Sequence, residues 1–136
     1  MKKIKLLSTL LLLTSVLLIS SCKKDDDPVL TKTQLLTQNT WKYSSGTSTN
    51  PLVQALISLL TGTEYVFMTD KTYSVTQLGQ SIANGKWEFS SDESKIILDK
   101  GSVEESTLEI VTLDGSNLEV KEVDGSFVTT IKYVKK

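Results

Sequence analysis

Three residue types that carry much of protein chemistry are scarce: the 136-residue sequence has no histidine, no arginine and one cysteine, Cys22. Acid–base and nucleophilic catalysis usually draw on histidine, or on a cysteine or serine activated by a base, so the composition argues against an enzyme. Without arginine, and with a formal net charge of −1, the chain lacks the basic face that nucleic-acid binding requires, and we expect no nucleic-acid partner. A single cysteine also excludes an intramolecular disulfide, so a hydrophobic core must stabilise the fold.

The first 22 residues have the order of a secretory leader. Lys2, Lys3 and Lys5 precede an apolar run of 14 residues, 6–19, and small Ser20 and Ser21 then lead to Cys22. The run is shorter than the roughly 20 residues that a transmembrane helix needs, which favours a cleaved signal over a permanent span. The alternative is an ordinary secretory signal followed by an incidental cysteine.

The segment resembles a bacterial lipoprotein signal peptide whose lipobox reads Leu18-Ile19-Ser20-Ser21-Cys22. That resemblance implies that residues 1–21 are removed, that Cys22 is acylated, and that Cys22 attaches the protein to a membrane. Residues 23–27, two lysines followed by three aspartates, are similar to the surface-export signal of Bacteroidota lipoproteins. We therefore expect a lipid-anchored protein of the outer membrane that faces the cell surface, with residues 22–33 as the acylated cysteine and its flexible tether.

Beyond the tether, short alternating segments separated by turn residues predict a single β domain over residues 34–136. One or two helical turns are predicted over residues 33–39, with Leu35 and Leu36 facing the domain. The predicted strands are eight in number, at residues 41–45, 64–68, 72–78, 85–90, 95–99, 106–113, 118–121 and 127–134. Short gaps between the last seven predict antiparallel hairpins, and Asn84-Gly85 supplies the strongest turn signal.

An apolar helix is predicted between the first two strands. Asn50 is a good N-cap, Pro51 suits the first helical position and Gly62 is placed to end the helix. Only Gln54 and Ser58 are polar between residues 52 and 60. We interpret the helix as a cover packed on the core, and the alternative is a gate for a hydrophobic ligand.

The aromatic and aliphatic pattern resembles the lipocalin-like lipoprotein domains of Bacteroidota. The similarity rests on Leu35-Leu36 before Trp41, on Lys86-Trp87-Glu88-Phe89-Ser90, and on Lys95-Ile96-Ile97-Leu98. It implies an all-β, eight-stranded antiparallel up-and-down barrel with a short helix after the first strand; a two-sheet β-sandwich is the alternative. Asn39 stands where lipocalins have glycine two residues before the first tryptophan, and we expect it to keep that turn by adopting a positive φ.

No residue set predicts catalysis, a metal or a cofactor. The adjacent acids Asp92-Glu93 and Glu104-Glu105 fall in predicted turns and would point apart. Asp114-Gly115-Ser116-Asn117 resembles half of a calcium loop, but hairpin turns use the same residues for backbone reasons. Asp25, Asp26 and Asp27 lie in a tether that cannot fix the six to eight oxygens that calcium prefers.

Aromatic residues alternate along the predicted strands and have two interpretations. They either fill the core or line a cavity for one small apolar molecule, since barrels of eight strands do both. The predicted ligand-binding residues are Trp41, Tyr43, Tyr65, Phe67, Tyr73, Trp87, Phe89 and Tyr133. The expected function is binding of a small hydrophobic ligand, and the alternative is a non-catalytic structural or interaction lipoprotein with a filled core that meets an envelope protein or a glycan.

Overall fold

The computed structural model describes residues 29–136, which form a closed eight-stranded antiparallel barrel. Each strand pairs with its neighbour in sequence, and the first pairs with the last to close the sheet. The strands are β1 Thr40–Ser48, β2 Thr63–Phe67, β3 Thr72–Gln77, β4 Gln80–Phe89, β5 Lys95–Leu98, β6 Ser106–Leu113, β7 Asn117–Asp124 and β8 Phe127–Lys135. The predicted up-and-down barrel is confirmed, and the sandwich does not form.

Three helical segments accompany the barrel. They are α1 Lys32–Thr37 before β1, α2 Pro51–Leu56 after β1, and a 3₁₀ helix Ile57–Leu60 that continues α2. None of the helices within residues 29–136 is long and apolar enough to cross a membrane. The predicted signal peptide, Cys22 and residues 23–27 lie outside the described residues, so their roles remain predictions.

One end of the barrel, which we call the closed end, is plugged by α1. Thr31 caps the helix, accepting from the Gln34 backbone N–H while its own N–H donates to the Gln34 side chain, a reciprocal arrangement that fixes a helix start. Leu36 and Trp41 are fully buried there, and the indole N–H donates to the Leu36 carbonyl at 2.9 Å. The hydrogen bond satisfies a carbonyl at the end of a helix too short to satisfy it internally.

The expectation for Asn39 is wrong. Its φ is not positive; instead the side chain is buried and its amide donates to the Gly115 carbonyl at 3.3 Å. The asparagine thus links the α1–β1 turn to the β6–β7 hairpin through its side chain, and needs no left-handed backbone to do so.

The predicted turn at Asn84-Gly85 is also wrong. The chain reverses at Leu78-Gly79, whose φ values of +51° and +83° are those of a turn with positive φ at both central residues. Gly85 lies within β4 opposite Tyr73. A Cβ at Gly85 would lie 2.1 Å from an Asp99 carboxylate oxygen, so this glycine serves a close approach rather than a turn.

The opposite end, which we call the open end, carries the lid, defined as residues 51–60. Asn50 caps it as predicted, accepting from Leu52 N–H at 3.0 Å and Val53 N–H at 3.5 Å, and Gly62 follows with φ +81°. The predicted packing on the core holds for Ile57 alone, which is 8% exposed, whereas Leu52 is 76% exposed and Leu56 and Leu59 are also exposed.

Candidate functional site

A cavity of about 430 Å³ occupies the open-end half of the barrel, beneath the lid. The strands contribute inward-facing side chains from their open-end halves, and the lid contributes the roof. Its lining is Val53, Leu56, Ile57, Leu60, Tyr65, Leu98, Ser106, Leu108, Val120, Glu122, Thr129, Ile131 and Tyr133. Aliphatic groups dominate this surface, and its few polar groups come from tyrosine, serine, threonine and glutamate side chains.

Tyr65 and Tyr133 form the floor of the cavity. Their rings meet edge to face with centroids 5.4 Å apart, a favoured aromatic geometry. Below them the residual void is only about 10 Å³, at or below what one water molecule needs. The barrel is therefore filled in its closed-end half and hollow in its open-end half.

The floor hydroxyls are protonated at neutral pH. Burial raises the pKa of Tyr133, and the neighbouring hydroxyls of Tyr65 and Tyr43 raise it further. Burial and the negative charge of Glu122 raise the pKa of Tyr65, against a smaller opposing effect of its hydrogen bond with Tyr133. Because Tyr133 shares its one proton with Tyr65, the Tyr65 hydroxyl is the one that can donate a hydrogen bond to a molecule in the cavity.

Polar groups cluster at the mouth of the cavity. Glu122 follows Leu118 and Val120 at alternate positions of β7, and so shares their inward face; it pairs in register with Thr129 of β8. The Ser106 hydroxyl donates to its carboxylate at 3.4 Å. An apolar chamber with a few polar groups at one side is the common form of a small-molecule site.

The roof is held at few points. Ile57 packs against the inner wall, where a Cβ on Gly46 would lie 2.8 Å from its Cδ1 and 2.9 Å from Cδ1 of Ile131. Gly46 thus leaves room for the one buried lid side chain. The Ser48 N–H donates to the Gln54 side chain at 2.7 Å, and the Gln77 side chain donates to the Leu59 carbonyl.

Two of the eight predicted ligand-binding residues, Tyr65 and Tyr133, line the cavity. Phe67 borders only the small void beneath the floor, and Tyr43 reaches the site through an edge-to-face contact with Tyr133 at 6.4 Å. Trp41 belongs to the closed-end plug. The ligand-binding role of all eight stays a prediction.

The remaining three predicted residues form the wall near the closed end. Trp87 meets Phe67 and Phe89 edge to face at 5.8 and 5.3 Å, and its indole N–H donates to the Met68 carbonyl at 3.0 Å. The Lys71 ammonium lies 4.0 Å from the centre of the indole ring, close enough for a cation–π contact. These contacts stabilise the β2–β3 and β4 region.

Tyr73 is buried and donates its hydroxyl to Asp99 Oδ2 at 2.6 Å, while Asp99 Oδ1 accepts the Lys86 N–H at 2.8 Å. These hydrogen bonds hold the pKa of Asp99 below its usual range. Burial and the adjoining carboxylate raise the pKa of Tyr73. β4 continues beyond its pairing with β5, and there the Asp99 carboxylate links Tyr73 of β3 to the backbone of Lys86 in β4.

The acids that the sequence placed in turns have local structural partners. Asp92 accepts from the Ser90 hydroxyl at 2.6 Å and the Ser94 N–H at 3.1 Å, and these bonds lower its pKa. Asp114 accepts from the Ser116 and Asn117 N–H groups at 2.7 and 2.8 Å, as in other Asx turns. Within residues 29–136, no three acids or cysteines group as metal ligands.

A larger groove of about 530 Å³ lies on the outer wall, but its chemistry is less suggestive of a ligand site. Three lysines, Lys71, Lys86 and Lys100, line it together with Glu88 and Asp99. Lys100 pairs with Glu88, Lys71 lies over Trp87, and Asp99 is committed to Tyr73. The apolar cavity beneath the lid is therefore the candidate site.

Most of the cavity lining is not among the predicted ligand-binding residues, because that prediction rests on aromatic side chains. The aliphatic wall, with Leu98, Leu108, Val120 and Ile131, gave no distinguishing signal in the sequence. Glu122 did give one, since an acid four residues beyond Leu118 and two beyond Val120 in an alternating strand falls on the inward face.

No protein-family model matches the sequence, and no curated protein matches it. Among solved structures, the chain is similar to bovine odorant-binding protein. The complex with undecanal is 24% identical with a TM-score of 0.44 over 71% of this chain and 68% of that one. The complex with a selenium-containing odorant is 22% identical with a TM-score of 0.47 over 82% and 76%. At these values the likeness is loose and carries no information on the ligand of the present chain.

Proposed function

We propose that the protein binds one small, mainly apolar molecule in the cavity at the open end of its barrel. The observation that carries this proposal is the chamber of about 430 Å³ with its aliphatic wall, a size within the roughly 300–1,000 Å³ range of ligand sites. A ligand would displace water from Leu108, Val120 and Ile131 and so gain about 25 cal/mol per Å² of apolar surface buried.

The lid supplies the route of access in this proposal. Its apolar side chains are divided between the cavity roof and solvent, and only Ile57 is buried. Since few contacts hold the segment down, moving it costs less than opening the barrel wall. A bound apolar ligand would give the roof side chains Val53, Leu56 and Leu60 a surface to pack against.

The test is a matched pair of tryptophan substitutions on β6. Leu108→Trp places an indole in the cavity, whereas Val111→Trp adds one at an exposed position, 53% exposed, on the same strand. We expect an uncharged, environment-sensitive naphthylamine dye to bind the wild type and V111W alike, and L108W at least tenfold more weakly. Thermal unfolding must show that L108W is folded.

Equal dye affinity in all three proteins would overturn the proposal. Binding is best followed by dye fluorescence, because the tryptophans Trp41 and Trp87 are not among the residues that line the cavity and would report poorly on its contents.

We infer further that Cys22 is acylated and holds the protein in the outer membrane, facing the cell surface. Support comes from the order of charges, apolar run and small residues before Cys22, and from the acidic run after it. Two or more acyl chains would give stable anchoring. The described chain joins the barrel through α1 at the closed end, so a tether there, ten residues from Cys22 to Thr31 and at most about 35 Å long, would leave the mouth unobstructed.

Metabolic labelling with a palmitate analogue tests the anchor. We expect label in the wild type and in a Ser21→Ala control, and none in Cys22→Ala. Equal labelling of all three proteins, or of none, would contradict the anchor while leaving the cavity proposal intact. Protease treatment of whole cells tests surface exposure. If the protein faces the cell surface, added protease should cleave it in intact cells, without lysis.

A second function, docking to another envelope protein or a glycan, is favoured by exposed apolar side chains around the mouth. Leu52, Leu59, Leu78, Ile82 and Val103 all project into solvent there. A photoreactive residue at position 78 should then crosslink a specific partner in cells, and one at position 111 should not; identical crosslinking patterns at both positions would count against docking.

A further inference from the structure

One carboxylate distinguishes the cavity from a purely apolar chamber. Glu122 is the only charged residue in its lining, and it lies at the mouth between Ser106 of β6 and Thr129 of β8. Its charge is felt at the floor, because it contributes to raising the pKa of Tyr65. A ligand in the chamber therefore lies within reach of this carboxylate.

No lysine neutralises Glu122 within the described part of the chain. The five ion pairs found there are Lys95–Glu109, Lys100–Glu88, Lys121–Glu109, Lys132–Glu119 and Lys136–Glu64. All of them involve other acids. The only side-chain hydrogen bond to Glu122 among these residues is the long one from Ser106, which leaves the second carboxylate oxygen free to accept.

The electric field of the mouth has the same sign. Four carboxylates lie in the two chain segments that reach the open end: Glu104 and Glu105 in residues 102–106, and Glu122 and Asp124 in residues 122–127. Neither segment contains a lysine, and Lys100, just before the first of them, pairs with Glu88. The lid and the Leu78-Gly79 turn carry no charge. A mouth lined by one sign of charge concentrates ions of the opposite sign and repels its own.

We propose that the cavity selects apolar amines: molecules with a hydrocarbon body and a protonated amino group, in preference to alcohols or carboxylic acids of equal length. This inference rests on the proposed ligand-binding function and assigns its specificity. The ammonium donates to Glu122 and the hydrocarbon lies along Leu108, Val120 and Ile131. A carboxylate ligand would place two like charges together at the same point, and no cation in the lining would compensate.

The test compares three probes of equal chain length, dodecylamine, dodecanol and dodecanoate, with protein produced from the full sequence. Affinities are measured by displacement of the uncharged dye, at pH 7, low salt and probe concentrations below micelle formation. Glu122 is exposed in the protein without ligand, so its charge-assisted hydrogen bond is expected to make dodecylamine bind about fivefold tighter than dodecanol. Dodecanoate should bind most weakly.

Two variants assign the preference to its residue. Glu122→Gln keeps the size of the side chain and should bring dodecylamine within about twofold of dodecanol. Glu119→Gln, on the outward face of the same strand and 3.4 Å from Lys132, should leave the preference unchanged. Added salt at 0.5 M should weaken the amine and spare the alcohol, because it screens only the charged interaction.

The outcomes separate the two proposals. Equal binding of all three probes, or tightest binding of dodecanoate, would overturn amine selection and leave the ligand cavity standing. An amine preference that survives in E122Q would overturn the role of Glu122. Failure of every probe to displace the dye from the wild type would overturn both amine selection and the proposed function.

Discussion

Removing the single buried side chain of the lid is the sharpest perturbation of the structure that the cavity requires. Ile57 is 8% exposed, and Ile57→Ala deletes three carbon atoms that lie between the lid and the wall at Ile131. At about 0.8 kcal/mol per buried methylene the loss is about 2 kcal/mol. This is the low end of the roughly 2–5 kcal/mol range for such core changes, because the deleted atoms already border a cavity.

Leu52→Ala is the matched control, since it shortens a side chain of the same segment that is 76% exposed. Its effect should stay within about 0.5 kcal/mol. Urea unfolding gives both values, and the m-value should not change. In I57A the Gln54 amide, which donates to the Asn50 carbonyl at 2.8 Å, should also exchange about 30-fold faster, the factor that corresponds to 2 kcal/mol.

The reasoning would be refuted if I57A and L52A lost the same small amount of stability. The lid would then lie loosely over the barrel, and Ile57 would not anchor it. A loss well above about 5 kcal/mol would refute it in the other direction, since the segment would then be part of the core rather than a cover over a chamber.

Three further predictions concern the wall and the turns. Gly85→Ala should lower the free energy of unfolding in urea by about 1–3 kcal/mol, because its Cβ would lie 2.1 Å from an Asp99 carboxylate oxygen. Gly115→Ala is the control and should be neutral, since the space around Gly115 is open; equal effects of the two substitutions would contradict this reasoning. Tyr73→Phe removes the 2.6 Å hydrogen bond to Asp99, so the pKa of Asp99 should rise toward its ordinary value of about 3.9. NMR titration measures this pKa, and an unchanged value would show that the Tyr73 hydroxyl does not stabilise the carboxylate. Hydrogen bonds depress the pKa of Asp92 in the folded state, so they stabilise the fold above about pH 4, and this stabilisation should be lost as the pH falls below the pKa of Asp92 in the unfolded chain. Asp92→Asn should make the free energy of unfolding decline less steeply with falling pH, and a decline of unchanged steepness would contradict the prediction.

The sequence predicted the strands well where local chemistry and tertiary packing agree. β6 was placed at its observed bounds because Leu108 and Ile110 alternate with outward residues between clear turn signals at both ends. The helix predicted to begin at Asn50-Pro51 also forms, because an Asn cap followed by Pro acts locally and does not depend on the rest of the fold.

The sequence misled where a tertiary contact overrode a local preference. Asn84-Gly85 is a better turn dipeptide than Leu78-Gly79, yet Gly85 is needed in the strand, where the Asp99 carboxylate approaches too closely for any side chain. That approach joins residues from different strands, so no local window of the sequence contains it.

The candidate site was predictable in part. Period-two alternation placed Tyr65 and Tyr133 inside the barrel, and it also places Glu122 there. Whether an inward side chain fills space or borders a void depends on what its neighbours across the barrel leave empty. The aromatic rings meet each other near the closed end and the aliphatic side chains face a gap near the open end, and this division is set by the whole closed sheet.

The central claim is that the open-end half of the barrel is a ligand chamber and the closed-end half is solid. Amide chemical-shift mapping with dodecylamine tests it most directly. The account predicts saturable shifts at Ile57, Leu108, Glu122 and Ile131, with the amides around Trp41 unmoved. Shifts centred on Trp41, or weak shifts spread evenly over the outer surface, would contradict it.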